Sequence, residues 1–216
     1  MIDVEYLDHM GNDLTVVNAA RVSFDKESTS LSEQDKKLIN YLAKHKHKSP
    51  FNHCFASFRV KAPIFVARQL QKHEYLVWNE VSRRYVDSEP AFFYPYDGWR
   101  IKAENVKQGS SNDLAPYEIN GEACHLYNIA ADNALDAYTF MINNGIAAEQ
   151  ARMVLPQSMM TTWIWSGSLG AFAKMCSLRL DPHSQYETRL VAEKVAENLE
   201  SLFPVSFKAL MENPFV

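Results

Sequence analysis

Two adjoining stretches decide the reading: Cys54-Phe-Ala-Ser-Phe-Arg-Val-Lys-Ala-Pro63, and Arg68-Gln-Leu-Gln-Lys-His-Glu-Tyr-Leu-Val-Trp-Asn-Glu-Val-Ser-Arg-Arg-Tyr85. From Cys54 to Ala62, small or apolar residues alternate with polar ones, the period-two pattern of a half-buried strand. Pro63 then suits the first position of a helix, where its missing N–H is no loss. Such a helix would carry Gln69, Lys72 and His73, three or four residues apart, along adjoining stripes of one surface. Asn79 to Arg84 follow as a polar segment in which Arg83 and Arg84 offer planar forks suited to phosphate. Ser82 adds a hydroxyl that both donates and accepts. This concentration of anion-binding and proton-handling groups points to a nucleotide-like ligand. The competing reading is a charged helix end followed by a solvated loop.

Toward the N-terminus, residues 2–8 read as an opening strand. Asn12 or Asp13 caps a short helix through Val16, Val17 and Ala20. Ser32 with Asp35 resembles the start of a second helix, whose apolar Leu38, Ile39, Tyr41 and Leu42 keep helical spacing until Ser49-Pro50. Beyond Tyr85, an extended region near Phe92–Tyr96 leads to an excursion over Asp97–Asn120, where Gly, Ser, Asn and Pro gather around Gln108. A long helical pattern runs from about Glu118 to Asn144 and meets Gly145, a terminator. Ala147–Leu155 reads as a helix stopped by Pro156, Ser158–Trp165 as a strand, and Leu169–Leu178 and Tyr186–Leu202 as helices. Trp163 and Trp165 lie in an apolar stretch and read as core, whereas Trp78, within the polar motif, is a candidate stacking surface. The expectation is an α+β fold, mostly helical, over a single domain spanning 1–216, with a small antiparallel or mixed sheet.

Composition narrows the function classes. A chain of 216 residues, 47% of them hydrophobic, supports one sizeable core. The net charge of -4 gives no general basic field for nucleic acid, so cationic clusters are local sites suited to a small anionic metabolite. Cys54, Cys124 and Cys176 are odd in number and widely spaced, which argues against a disulfide framework and a Cys-based zinc site. The acidic start and the lack of any membrane-length apolar run predict a soluble protein of the cytoplasm, away from membranes. His45, His47 and His53 carry no helical metal-ligand pattern, so no metal is expected. His47 and His53 are candidates for ordering a cofactor instead. With seven glycines and neither a dinucleotide-binding nor a P-loop glycine motif, phosphate must be held by side chains and helix ends. Arg152 and Arg179 are further candidates, the latter opening Arg179-Leu-Asp-Pro-His-Ser-Gln-Tyr-Glu187.

Six segments taken together resemble the flavin-dependent thymidylate synthase family over nearly the whole chain. They are Asn18-Ala-Ala-Arg-Val-Ser-Phe24, His47-Lys-Ser-Pro-Phe-Asn-His53, Lys61-Ala-Pro-Ile-Phe-Val-Ala-Arg-Gln69, Asn79-Glu-Val-Ser-Arg-Arg-Tyr85, Ala151-Arg-Met-Val-Leu-Pro156, and the segment that opens at Arg179. The resemblance implies reductive methylation of dUMP to dTMP, with 5,10-methylenetetrahydrofolate as carbon donor, NADPH reducing FAD, and the flavin giving hydride to the nucleotide-bound intermediate. It also implies a homotetramer with active sites shared between subunits.

Carried over by position, the resemblance assigns Gln69, Lys72, Glu80, Ser82, Arg83, Arg84 and Arg152 to dUMP. It assigns Arg179 to polarising the uracil so that the N3 proton leaves. His47, Ser49, His53, His73 and His183 fall in flavin or folate surroundings, and Lys72, Glu74, Glu80, Ser168, Gly170 and Lys174 stand at cofactor positions. The pattern departs from the family at several of these. Lys72 and Glu74 replace the arginines that flank the histidine, and Ser168, Gly170 and Lys174 stand where Asn, Arg and Asn are usual. Lys keeps charge without the fork, and Glu74 reverses it. The resemblance further implies chemistry without a cysteine nucleophile. The three cysteines read as packing residues and Ser82 as a phosphate ligand rather than a nucleophile. Beside the active synthase stand two alternatives: a related pyrimidine-nucleotide one-carbon transferase, and a catalytically silent nucleotide-binding homologue.

Overall fold

The structure, a computed structural model, describes residues 1–86, 88–104 and 110–215. In chain order the elements are β1 (Asp3–Met10), α1 (Asp13–Arg21), α2 (Glu33–Lys44), β2 (Phe55–Pro63), α3 (Ile64–Leu70), β3 (Leu76–Glu80), β4 (Arg100–Lys102) and β5 (Ser110–Leu114). Then come α4 (Tyr117–Asn143), α5 (Ala148–Ala151), β6 (Met160–Ser168), α6 (Leu169–Arg179), α7 (Tyr186–Leu202) and α8 (Pro204–Glu212). The architecture is the expected α+β, mostly helical. Backbone contacts divide the chain into two compact units. One comprises Lys61–Arg68 and Glu80–Thr162 together with Met1; the other comprises Ile2–Val60, Gln69–Asn79 and the chain from Trp163 onward.

The second unit is built on a sheet of order β1-β2-β6-β3. Its neighbours run antiparallel. The Cys54 carbonyl, just before β2, accepts from the N–H of Leu169 past the end of β6 at 2.8 Å, and Ser57 meets Ser166 at 2.8 Å. Trp78 of β3 stacks on Trp163 at 4.2 Å, while Gly167 packs against Leu76. The period-two pattern of β2 holds: Ala56, Phe58 and Val60 are buried, whereas Arg59 faces outward and pairs with Glu5 of β1 at 2.7 Å. Trp163 and Trp165, each 1% exposed, are core as expected, and Trp165 meets Phe172 of α6 edge to face. On α7, Val191, Val195 and Leu199 recur every fourth residue and are fully buried, which is how an amphipathic helix covers a sheet.

Caps begin the helices where the sequence signals them. Asn12 and Thr15 form a capping box at α1, and Ser32 with Asp35 forms another at α2. Some boundaries differ from expectation. α2 ends at Lys44 rather than continuing to Ser49-Pro50, because Lys46 takes a left-handed φ of 60° and Ser49–His53 form their own 3-10 turn. The helix after Pro63 ends at Leu70, so Gln69, Lys72 and His73 do not line a common helical surface. Tyr75, at φ 63°, turns the chain into β3, where Trp78 is held against the tryptophans of β6.

In the first unit, α4 is 27 residues long and ends at Asn143, with Asn144 as its cap and Gly145 at φ 79° terminating it as predicted. Ala147–Leu155 is shorter than expected, one turn of α5 followed by a 3-10 turn over Arg152–Val154. The Asp97–Asn120 excursion contains the antiparallel pair β4 and β5; its Gln108 and Gly109 lie outside the described residues. Trp99 and Tyr94 pack on Tyr127 of α4, each with ring centroids 5.5 Å apart. Among the described residues, no helix is long and apolar enough to cross a membrane.

Candidate active site

The first unit holds a cavity of about 510 Å³, a volume suited to a nucleotide-sized ligand. The end of β3 and the turn after it bring Glu80, Ser82 and Arg83 to its wall, and the 3-10 turn after α5 brings Arg152. The turn is tied by its own backbone: Tyr85 N–H donates to the Ser82 carbonyl at 3.0 Å, and the Val81 N–H is fixed to Thr162 at 2.9 Å. Glu80 accepts from the Thr161 hydroxyl at 2.7 Å. Arg83 donates to the Ser88 carbonyl, and Arg152 donates through Nε to the Glu149 carbonyl at 3.3 Å. Each guanidinium has donors left over for a ligand anion. Arg84 turns away to pair with Glu149 at 3.2 Å and lies over the ring of Tyr85. Lys61, Glu89 and Thr161 also line this cavity, and the sequence reading had not singled them out.

The second unit holds a cavity of about 300 Å³ that gathers Glu74, Ser168, Gly170 and Lys174. Lys48 and Asn52 add a charge and an amide, while Phe55, Tyr75 and Phe215 supply apolar wall. Ser168 caps α6 by accepting from the Ala171 N–H at 3.3 Å and donates to Asn52 Oδ1 at 2.9 Å. A Cβ at residue 170 would lie 2.6 Å from that same Asn52 oxygen, so glycine there is what lets the Asn52 side chain lie across the helix start.

A third group, also in the second unit, surrounds Arg179 at the end of α6. Its Nε donates to His73 Nε2 at 2.9 Å and its Nη2 to the Gln69 carbonyl at 3.3 Å. An arginine Nε only donates, so His73 Nε2 is the unprotonated nitrogen and the ring proton sits on Nδ1. Burial first, then the charges of Arg179 and Lys174, push the His73 imidazole down to about 4, so it is neutral around pH 7. Burial also lowers Arg179 from its ordinary value.

Several expected residues stand apart from these groups. Lys72 is exposed in the turn before β3, and Ser49 and His53 are exposed in the 3-10 turn before β2. His47 faces the ring of Tyr41, and His183 binds Asp181 through its backbone N–H at 2.7 Å and its Nδ1 at 2.9 Å. The missed residues fall mostly inside the quoted segments: Lys48 and Asn52 in the segment from His47, Lys61 in the one before Arg68, Gln185 in the one from Arg179. Their signal was position within a motif rather than residue type.

The family described as "Thymidylate synthase complementing protein" matches residues 5–205. The chain belongs to the flavin-dependent thymidylate synthase family. Within it, this enzyme is 38% identical over 210 residues to the flavin-dependent thymidylate synthase of Thermus thermophilus, covering 97% of this chain and 76% of that protein. It is 36% identical over 209 residues to the one from Kosmotoga olearia, covering 96% of this chain and 89% of that protein. A solved structure of the UMP/dUMP methylase PolB from Streptomyces cacaoi, bound with 5-Br dUMP, superposes with a TM-score of 0.87 at 30% identity, covering 98% of this chain and 95% of that one.

Proposed function

We propose that this family member is an FAD-dependent thymidylate synthase that methylates C5 of dUMP to give dTMP, with 5,10-methylenetetrahydrofolate as carbon donor and NADPH as reductant. The observation that carries the reading is the cavity where Ser82, Arg83 and Arg152 converge. Two guanidinium forks and a hydroxyl on fixed turns suit a phosphate monoester. Arg179 would polarise the uracil. With its Nε and one Nη2 proton engaged, the remaining guanidinium donors can stabilise the charge that builds on the ring as the N3 proton leaves. His73 assists by staying neutral: a protonated ring would repel that guanidinium.

The residues of the smaller cavity fit part of FAD. Lys48 and Lys174 suit its diphosphate, and the wall of Phe55, Tyr75 and Phe215 suits a ring system. When bound, the flavin supplies hydride; the chain's own residues bind, orient and hold charge. Neither buried cysteine offers a thiolate nucleophile. Burial pushes Cys54 up to about 12 and raises Cys176 as well, so neither is a thiolate near neutral pH.

We further propose a homotetramer with shared active sites, in the cytoplasm. The support is α4, where Ala131 and Tyr138 are the buried residues while Ile119, Leu126, Ile129 and Phe140 stand exposed along a helix that a partner subunit would cover. A second reading, that UMP is methylated beside dUMP, draws support from the likeness to the methylase bound with 5-Br dUMP in one structure and 5-Br UMP in another. One experiment separates the readings: NADPH-driven product analysis of the FAD-loaded protein with dUMP, UMP or both, alongside its absorption spectrum. Yellow protein that makes dTMP supports the synthase. A methylated ribonucleotide supports the broader methylase, and dUMP binding without flavin or product supports a silent homologue.

A further inference from the structure

Behind Arg179 runs a chain of amide hydrogen bonds that the proposed mechanism does not use. Glu187 is 6% exposed, in the first turn of α7. Its Oε2 accepts from Gln185 Nε2 at 3.0 Å. Gln185 Oε1 accepts from Gln69 Nε2 at 2.5 Å, a contact between residues 116 positions apart. Gln69 in turn gives its backbone carbonyl to Arg179, whose Nε is held by His73. All five residues lie in the second unit.

The polarity of this chain is set from its buried end. A carboxylate only accepts, so the Gln185 amide must turn its NH2 toward Glu187 and its oxygen toward Gln69. Gln69 must then present its NH2 to Gln185, which leaves Gln69 Oε1 as an acceptor without a protein partner among the described residues. The same bond pins the last turn of α3 and with it the carbonyl that accepts from Arg179. Neutral amides alone would allow either orientation; the carboxylate removes one of them.

We propose that Glu187, acting through Gln185, is a positioning residue for Gln69 and Arg179, fixing the acceptor and donor groups that meet the pyrimidine base. The proposal rests on the reading that Arg179 faces uracil. Its test is a double-mutant cycle on the full-length, FAD-loaded protein with Gln185→Ala, Glu187→Gln and the pair, reading the Kd for dUMP by direct titration and the kcat and KM for dTMP formation.

Gln185 is on the surface, so Gln185→Ala leaves the fold intact while it frees Gln69. It weakens dUMP about five- to tenfold, the loss expected for one intramolecular hydrogen bond. Glu187→Gln keeps the shape and removes the charge, so the amides lose their fixed polarity and dUMP binding and kcat/KM both fall. In the double variant the second substitution adds nothing, because its effect passes through Gln185. A purely structural role for buried Glu187 predicts the opposite, with the two losses multiplying. That result, or wild-type dUMP affinity in Gln185→Ala, overturns the proposal. Wild-type protein that does not bind dUMP overturns the substrate reading and the proposal with it.

Discussion

Gly167 in β6 is the position where a single added carbon tests the packing that supports the smaller cavity. A Cβ there would lie 2.4 Å from Leu76 Cδ2 and 2.8 Å from the Tyr75 carbonyl oxygen. The leucine methyl can rotate aside. The carbonyl cannot, because Tyr75 holds a left-handed φ of 63° and leads directly into β3. Gly167→Ala therefore forces β3 and β6 apart at this point, and overpacking of this kind costs about 1–3 kcal/mol. Replacing glycine in a strand returns roughly 0.5–1 kcal/mol of chain entropy. The balance is destabilising by about 0.5–2 kcal/mol, which at this chain length lowers Tm by roughly 1–8 °C.

The melt is best followed by tryptophan fluorescence, since Trp78, Trp163 and Trp165 stand in the same unit. Gly121→Ala is the control: nothing lies within 4 Å of its Cβ, and inside α4 alanine raises stability by about 0.5–1 kcal/mol. Because Tyr75 and Glu74 line the smaller cavity, Gly167→Ala should also emerge from purification with less bound flavin by absorbance. A Gly167→Ala protein that melts at or above the wild-type temperature and keeps full colour refutes this packing argument.

Other outcomes follow from the site. His73 titrates near 4 in the fold against about 6.5 in an unfolded chain, so the unfolded state binds the extra proton as pH falls. Stability is complete above about 6.5 and declines toward about 4; His73→Gln, neutral throughout, should flatten urea midpoints over that window, and an unchanged slope would count against the assignment. Arg83→Ala or Arg152→Ala should weaken dUMP about 10- to 100-fold, the range for a charge-assisted bond, and make binding less sensitive to competing inorganic phosphate. Equal affinity for nucleoside and nucleotide in the wild type would remove the phosphate reading. Replacing all three cysteines by alanine should leave dTMP formation in place while lowering Tm through buried Cys54 and Cys176; abolished turnover in folded protein would restore a thiol mechanism. Gly170→Arg should reduce flavin retention rather than improve it, scored by the ratio of flavin to protein absorbance, because the new side chain evicts Asn52.

Much of this was legible because local chemistry determined it. Capping boxes at Asn12 and Ser32, the alternation through β2, and the four-residue recurrence on α7 are short-range signals, and each produced its element. The failures share a cause in distance. β3 is not announced by its own residues, of which only Asn79 and Glu80 belong to the polar segment Asn79–Arg84, because its stability comes from Trp78 stacking on Trp163, far along the chain. α8 gave no sign because its first turn is capped from elsewhere: Asp13 accepts from the N–H groups of Val205 at 3.0 Å and Ser206 at 2.8 Å. No window of sequence around Pro204 contains that carboxylate. At the site the same division holds. Ser82, Arg83 and Arg152 announce themselves by residue type, but Gln185 is an ordinary surface glutamine until Glu187 and Gln69 fix its two ends.

Around the start of α6, residues 52, 168 and 170 form one packed group. An arginine at position 170, which the family resemblance leads one to expect, would bring charge from the first turn of α6 itself. Here glycine takes that place, and the room it leaves is occupied by Asn52, which the Ser168 hydroxyl holds by donating to its oxygen. Positive charge then comes from Lys174, one turn further along α6, and from Lys48, which also lies 5.6 Å from the centre of the Phe215 ring. Glu74 lines the same cavity as these lysines. A point charge on a flexible stem holds a phosphate less rigidly than a planar fork does. An arginine at 170 would therefore have to be introduced together with a smaller residue at 52 to find room.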